Sequence, residues 1–96
     1  MNEHDHARPT RHPSIETALF GSEAVLYDER SGTVHHLNPS ACAVWLLLDG
    51  RSIGDVVAGL AERTGLPRTE IGPDVLRAIA DLDEAGLLEA EPASGS

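Results

Sequence analysis

The spacing of the apolar residues changes once along this chain, at Leu37-Asn38-Pro39, and the change divides the sequence into two parts of different structure. Before it, short segments rich in strand-forming residues are separated by turn residues, whereas after it apolar residues recur every three or four positions. Asn38 is a favourable helix N-cap, and Pro39 suits the first helical position because its missing N–H would have no partner there. We therefore predict strands followed by helices.

Three segments before residue 38 have the composition of strands. Residues 15–20 and 24–29 flank Gly21-Ser22, which is a turn sequence, and Arg30-Ser31-Gly32 separates the second segment from residues 33–37. A three-residue loop with glycine in its last place is a common hairpin connection, in which the glycine adopts the left-handed conformation. The pattern predicts three strands joined by two hairpins.

The first two predicted helices are bounded by capping and stop signals. The first covers residues 39–48, because Asp49-Gly50 supplies a stop. Ser52 begins the second, with Asp55 three positions on as a shortened capping box, and Gly65 ends it. Apolar side chains at helical spacing give each helix one inward face, formed by Ala41, Val44, Trp45 and Leu48 in the first and by Ile53, Val56, Val57 and Leu60 in the second.

The third helix is predicted to begin near residues 71–73, because Pro73 is tolerated only in a first turn. Gly86 ends it, and the apolar residues that follow are expected to fold back on the core. Its inward face is formed by Val75, Ile79 and Leu82. The predicted fold class is therefore α+β, a three-stranded antiparallel sheet followed by three helices that pack on one face of it.

A chain of 96 residues allows one small domain. Residues 1–13 and 90–96 are polar and show no period, so we expect two disordered tails around a domain at residues 14–89. The longest apolar run, residues 41–48, is far shorter than the roughly 20 residues of a membrane span, and we expect no membrane partner. Cys42 is the single cysteine and cannot form an internal disulfide, which favours a reducing cytoplasm.

Charge and motif content argue against nucleic acid and nucleotides as ligands. The seven basic residues are all arginine and stand against sixteen acidic ones, so the net charge of −9 repels a polyanion. A Walker-type phosphate loop is excluded because the sequence contains no lysine. Asp81, Asp83 and Glu84 on the third predicted helix are interpreted as solvent-facing charges rather than as a catalytic pair.

The histidines and the cysteine do not form a recognisable site. His4 and His6 lie in the N-terminal tail without cysteine partners, and His35 and His36 are adjacent on a strand, so their side chains point to opposite faces. Cys42 has apolar neighbours and is expected to be a small core side chain rather than a nucleophile. We therefore expect no enzyme activity, no metal and no cofactor.

Residues 37–50, which read LNPSACAVWLLLDG, strongly resemble the PqqD-like family, the RiPP recognition elements that act as peptide chaperones for ribosomally made, modified natural products. The resemblance covers about residues 15–89, and Gly86-Leu87-Leu88 is its other specific part. Further residues carry it at compatible spacing, namely Ile53, Val56, Leu60, Ala61, Asp74, Val75 and Leu82.

The resemblance implies a winged helix-turn-helix-like domain that binds the leader segment of a precursor peptide. In this family the leader joins the sheet as a further strand, between the third strand and the third helix, and pockets for alternate side chains provide selectivity. On this chain the facing helix is residues 74–85, where the small Ala78 leaves a roomy pocket. The implied peptide-binding residues are Thr33, Val34, His35, His36 and Leu37 on the strand and Arg77, Ala78, Asp81 and Leu82 on the helix.

The leading functional hypothesis is a non-enzymatic chaperone that delivers its precursor peptide to a maturation enzyme, either a radical enzyme or the leader protease of a lasso-peptide pathway. One alternative is a structural or regulatory partner of a kinase-like enzyme in a biosynthetic cluster. Another is a winged-helix transcription regulator, which needs a basic recognition helix. Residues 51–89 carry four arginines against eight acidic residues, which disfavours that alternative.

Overall fold

The structure is a computed structural model that describes residues 7–89. It contains three strands followed by three helices, in the order β1 (Ile15–Phe20), β2 (Glu23–Asp28), β3 (Thr33–Leu37), α1 (Pro39–Leu46), α2 (Ile53–Thr64) and α3 (Arg68–Glu84). The strands form one antiparallel sheet with β2 in the middle. The predicted α+β class and element order are confirmed.

The first hairpin is closed by a two-residue turn. Gly21 has a positive φ of 64°, whereas Ser22 does not, which is the pattern of a type II′ turn. This turn matches the right-handed twist of the flanking strands, and the closing pair is Phe20 with Glu23. The register of β1 on β2 therefore follows directly from the local sequence.

The second hairpin differs from the prediction by one residue, because its loop is residues 29–32 and β2 ends at Asp28. The pairing of β2 with β3 ends at Asp28 and Thr33, whereas Glu29 continues only the β1 side and donates its N–H to the carbonyl of Ser14, 3.2 Å away. Gly32 closes the loop with a φ of 71° and donates to the carbonyl of Asp28 at 2.8 Å. The left-handed glycine was predicted correctly.

The first two helices begin where their capping residues predict. The Asn38 side chain accepts from the N–H of Ala41 at 2.8 Å, and the Ser52 side chain accepts from the N–H of Asp55 at 3.2 Å. Helix α1 is two residues shorter than predicted, because Leu47 and Leu48 donate three residues back in a tighter final turn. Helix α2 ends at Gly65, as predicted.

The predicted start of the third helix was wrong, since α3 begins at Arg68 and Pro73 lies inside it. A proline at this point removes the hydrogen bond to the carbonyl of Thr69. Thr69 is an exposed residue in the first turn, where solvent can take the place of the missing N–H. A proline early in a helix is therefore tolerated one turn later than the prediction assumed.

The core lies between one face of the sheet and the three helices. Trp45 is fully buried and donates its indole N–H to the Thr17 hydroxyl at 2.9 Å, while Cys42 is a buried free thiol among apolar residues. The predicted inward residues are all buried except Ala41 and Ile79, which are half-buried and pack against the core. The buried apolar residues are Ala24, Leu26, Leu37, Cys42, Val44, Trp45, Leu47, Leu48, Ile53, Val56, Val57, Leu60, Val75, Leu82, Leu87 and Leu88.

Part of the segment expected to be a disordered tail packs against the domain. Pro9 is buried, Thr10 bridges to Asp49, and Arg11 bridges to Leu88 in antiparallel fashion. These contacts use backbone hydrogen bonds, which a search for hydrophobic periodicity does not detect. Residues 9–12 thus contact the domain that was predicted to begin at residue 14, while the tail predictions for residues 1–6 and 90–96 lie outside the described residues.

Candidate functional site

The backbone of β3 is open along its outer side. In a two-residue hairpin the closing pair exchanges both backbone hydrogen bonds. Along β2 the backbone groups of every second residue therefore bond to β1, and those of the residues between them, including Leu26, bond to β3. His35 lies opposite Leu26, so its N–H and C=O point toward β2. The N–H and C=O groups of Val34 and His36 point outward, and within residues 7–89 they have no hydrogen-bond partner.

A groove of about 870 Å³ lies between this open edge and α3. Helix α3 forms its second wall, and residues of α1 and α2 complete the lining. Eight of the nine residues predicted for the site line the groove: Val34, His35, His36, Leu37, Arg77, Ala78, Asp81 and Leu82. The family resemblance therefore pointed to residues from two distant segments that the fold brings together along one groove.

Thr33 is the one predicted residue that does not line the groove. Its hydroxyl lies 2.7 Å from the Ser31 hydroxyl and 3.3 Å from His35 Nε2, and its N–H donates to the Ser31 hydroxyl at 3.3 Å. These contacts hold Thr33 to the preceding loop. Its place in the structure is at the end of the hairpin rather than at the open edge.

The floor of the groove is apolar and its rim is polar. Leu37, Val44 and Val75 are buried core residues that also line the groove, so a bound side chain would meet the surface of the core itself. Arg77 and Asp74 form an exposed ion pair at 3.6 Å on the α3 rim. Exposed pairs of this kind contribute little free energy, so apolar contact and backbone pairing dominate what the groove can offer a ligand.

The imidazole of His36 lies on the outer face of the sheet, 2.7 Å from the Glu23 carboxylate, and both side chains are largely exposed. His35 is half-buried and contacts Thr33. The two rings therefore point to opposite faces, as their adjacent positions on a strand predict. In the part of the chain that is described, no three His, Cys, Asp or Glu residues form a group that could hold a metal ion.

Sequence reasoning missed the groove residues outside β3 and the second half of α3. They come from α1 and its N-cap, from the second half of α2, from the first half of α3 and from just beyond its end, and their approach depends on tertiary packing that no local pattern encodes. They are Asn38, Ser40, Ala41, Ala43, Val44, Leu60, Thr64, Ile71, Asp74, Val75, Ala85 and Leu87.

The fold and the groove define a small α+β domain with an open sheet edge beside a helix. Comparison with known families gives this class a name: coenzyme PQQ synthesis protein D (PqqD) matches residues 23–88, and the chain belongs to the PqqD family. The comparison with curated proteins gave no match to this sequence. None of the three helices within residues 7–89 has the length and hydrophobicity of a membrane span.

Two solved structures are similar to this chain over most of its length. A lasso peptide synthetase B1 complexed with the leader peptide is 33% identical, with a TM-score of 0.72, and the match covers 88% of this chain and 100% of that one. TbiB1 in complex with the TbiA(beta) leader peptide is 21% identical, with a TM-score of 0.77, and the match covers 86% and 98% of the two chains. The second similarity is one of fold.

Proposed function

We propose that this protein binds the leader segment of a ribosomally made precursor peptide as a fourth strand along β3, and presents the precursor to a maturation enzyme without itself catalysing a reaction. The open backbone groups of Val34 and His36 beside an apolar groove are the observation that carries the proposal. Membership of the PqqD family supports it. So does the leader peptide in the lasso peptide synthetase B1 complex, which is 33% identical to this chain.

The open edge sets what a bound strand would contribute. Two outward N–H groups and two outward carbonyls allow four backbone hydrogen bonds to a peptide, and pairing through backbone groups is tolerant of sequence. A strand in this position lies about 4.8 Å from β3 and directs every second side chain to the same face. One set of side chains would enter the groove and the other would extend the outer face of the sheet.

The groove provides the selective part of the interaction. Ala41, Ala78 and Ala85 are small residues around the apolar floor, so they leave room for large apolar side chains of the leader. Burial of such side chains adds about 25 cal/mol per Å² of apolar surface. Ordering a flexible peptide opposes binding by several kcal/mol, and we expect dissociation constants from micromolar to high nanomolar.

Presentation to an enzyme would act through proximity. A leader held by this domain keeps the attached core peptide near a maturation enzyme that binds the domain, which raises the local substrate concentration without any chemistry by the domain. The enzyme would be a radical enzyme or a leader protease, and the setting would be the cytoplasm, where precursor peptides are made and a buried free thiol such as Cys42 stays reduced.

The proposal is tested by titrating the protein with the N-terminal segments of short peptides encoded beside its gene. Each peptide is paired with a scrambled version of the same composition. Saturable binding of one peptide but not of its scrambled form supports the proposal, as do amide NMR shifts concentrated on Val34 to Leu37. If every neighbouring peptide fails to bind at millimolar concentration, the proposal is wrong.

A further inference from the structure

A buried carboxylate and an arginine connect the β2–β3 hairpin to the end of α3. Asp28 is only 5% exposed, and Arg30 contacts both of its carboxylate oxygens, through Nε at 3.1 Å and Nη2 at 3.0 Å. The Arg30 N–H also donates to Asp28 Oδ1 at 3.0 Å. The same Nη2 donates to the carbonyl of Gly86, just beyond the end of α3, at 2.6 Å. We call these three residues the Arg30 clamp.

The clamp connects the two walls of the groove at one end. Asp28 pairs with Thr33, the first residue of β3, so one end of the clamp is fixed to the strand. Gly86 lies between Ala85 and Leu87, which both line the groove. None of the clamp residues lines the groove itself, so any influence on a ligand must act through the positions of β3 and α3.

The geometry of the clamp favours a fixed spacing. A guanidinium that contacts both oxygens of one carboxylate is held in a single orientation, because its N–H groups form a rigid fork. A positive charge beside the last carbonyls of a helix is also favoured by the helix dipole. Arg30 thereby meets two acceptors on separate elements with one planar group.

We propose that Arg30 positions β3 and α3 relative to each other at this end of the groove and so maintains the width at which a leader strand binds. The inference rests on the proposed function. A groove held at the binding width loses less conformational freedom when a ligand enters, and affinity rises for that reason. Without the clamp, the two walls move independently and the affinity for the leader falls while the domain stays folded.

The test compares Arg30→Met with Arg51→Met. Arg51 is a matched control because it pairs with Asp49, also two residues away in sequence, and its side chain is 47% exposed against 43% for Arg30. Arg51 does not line the groove. All titrations with the leader peptide are done at a temperature at which circular dichroism shows each variant fully folded, since loss of stability alone then leaves the dissociation constant unchanged.

We expect Arg30→Met to raise the dissociation constant about tenfold and Arg51→Met to leave it within twofold of the parent value. Arg30→Lys, which keeps the charge but not the planar fork, should recover part of the affinity. Equal affinities for Arg30→Met and the parent overturn the inference, and so do equal losses in the two methionine variants.

A second measurement separates this inference from the proposed function. Hydrogen exchange of the Leu87 amide, which donates to the carbonyl of Leu82 at 3.0 Å, reports the end of α3 without any peptide. Faster exchange there and in β3 for Arg30→Met, but not for Arg51→Met, supports the clamp even if no leader is found. Unchanged exchange shows that Arg30 does not hold the two walls.

Discussion

The two outer edges of the sheet have the same backbone chemistry, yet of these two strands only β3 lines the groove beside α3. The register leaves Thr17 and Leu19 of β1 pointing outward, just as it leaves Val34 and His36 of β3. Neither strand contains the lysine or proline that natural edge strands use to prevent pairing. The β3 edge faces α3 across a groove, and no residue of β1 lines that groove.

An open edge alone offers a peptide little net free energy. A backbone hydrogen bond to a peptide replaces one to water, so each contributes only about 0.5–1.5 kcal/mol net. The helical wall adds apolar surface that water cannot match, and it restricts which side chains fit. Four predictions follow from this difference between the β1 edge and the β3 edge, given from the largest expected effect to the smallest.

Proline substitutions should separate the two edges most strongly. Val34→Pro and His36→Pro each remove an outward N–H, so we expect leader binding to fall below detection while the fold is retained. Leu19→Pro removes an outward N–H from β1 and is the matched control, for which binding should stay near the parent value. Peptide titration and circular dichroism of the three variants provide the test.

His35→Pro is the internal reference for these variants. The N–H of His35 points toward Leu26, so its removal breaks the β2–β3 ladder, and we expect loss of the folded state. If all the β3 variants fold and bind like the parent, β3 is not the recognition edge. If Leu19→Pro abolishes binding in a folded protein, the β1 edge takes part and the comparison between the edges fails.

Filling the groove should have the next largest effect. Ala78 lines the groove, whereas Ala80 is exposed on another flank of the same helix, beside a cavity that also contains Leu76 and Ile79. Ala78→Trp should weaken leader binding at least tenfold, a change of about 1.4 kcal/mol or more, because the bulky ring occupies the space of a leader side chain. Ala80→Trp should change affinity less than twofold.

Calorimetric titration of both variants measures the difference. Both substitutions place the same residue in the same helix, so a general loss of helix stability would affect them alike. Tighter binding by Ala78→Trp would show that leader side chains do not enter this part of the groove, and the proposed position of the peptide would need to change.

The fold could be predicted from the sequence wherever the determinant was local. Asn38-Pro39, Ser52 and Gly65 each specify a helix end through a backbone bond or a conformation within a few residues. Pro73 was misread because its consequence depends on whether the orphaned carbonyl of Thr69 reaches solvent. The contacts of the N-terminal segment with Asp49 and Leu88 could not be predicted, because they are long-range backbone pairs.

The candidate site divides in the same way. The strand and helix residues of the predicted site were obtained through a family resemblance, and eight of nine line one groove. Thr33 lies outside the groove, because side-chain hydrogen bonds with Ser31 hold it to the loop. The contributions of α1 and α2 depend on how the helices pack, and the Arg30 clamp depends on a carbonyl 56 residues away in sequence.

Removing the hydrogen bond that joins β1 to the core should lower the stability of the domain without changing its affinity for the leader. The Thr17 hydroxyl accepts from the indole N–H of Trp45, which is fully buried. Thr17→Val keeps the shape of the side chain but leaves that N–H without a partner, so we expect the free energy of unfolding to fall by about 1–2 kcal/mol. Urea unfolding, followed by the emission of the single Trp45, measures the change.

Leader affinity of Thr17→Val should equal that of the parent when both are folded. The native emission of Trp45 should be blue-shifted in both proteins and move to the red on unfolding, because its ring is buried beneath the sheet. A weaker leader affinity in the folded variant would show that β1 contributes to recognition, and the two edges would then no longer be distinct.

The smallest expected effect is a pH dependence of the free energy of unfolding that comes from Asp28, a residue of the Arg30 clamp beside β3. Hydrogen bonds from Arg30 hold the pKa of Asp28 below its ordinary value of 3.8. As pH falls below that value, Asp28 takes up its proton in the unfolded chain before it does so in the folded chain. The stabilisation that its charge provides at higher pH is therefore lost as pH falls from the unfolded-state pKa through the folded-state pKa. Asp28→Asn has no such proton to bind.

The difference in unfolding free energy between the parent and Asp28→Asn should therefore be constant above pH about 5 and shrink as pH falls below about 4. Urea unfolding at a series of pH values measures it, with Asp49→Asn, from the exposed pair with Arg51, as the control. If this difference does not change with pH, the Asp28 charge does not stabilise the hairpin. The β1 and β3 edges would then differ in the presence of α3 beside β3, but not in a charged contact that holds α3 in place.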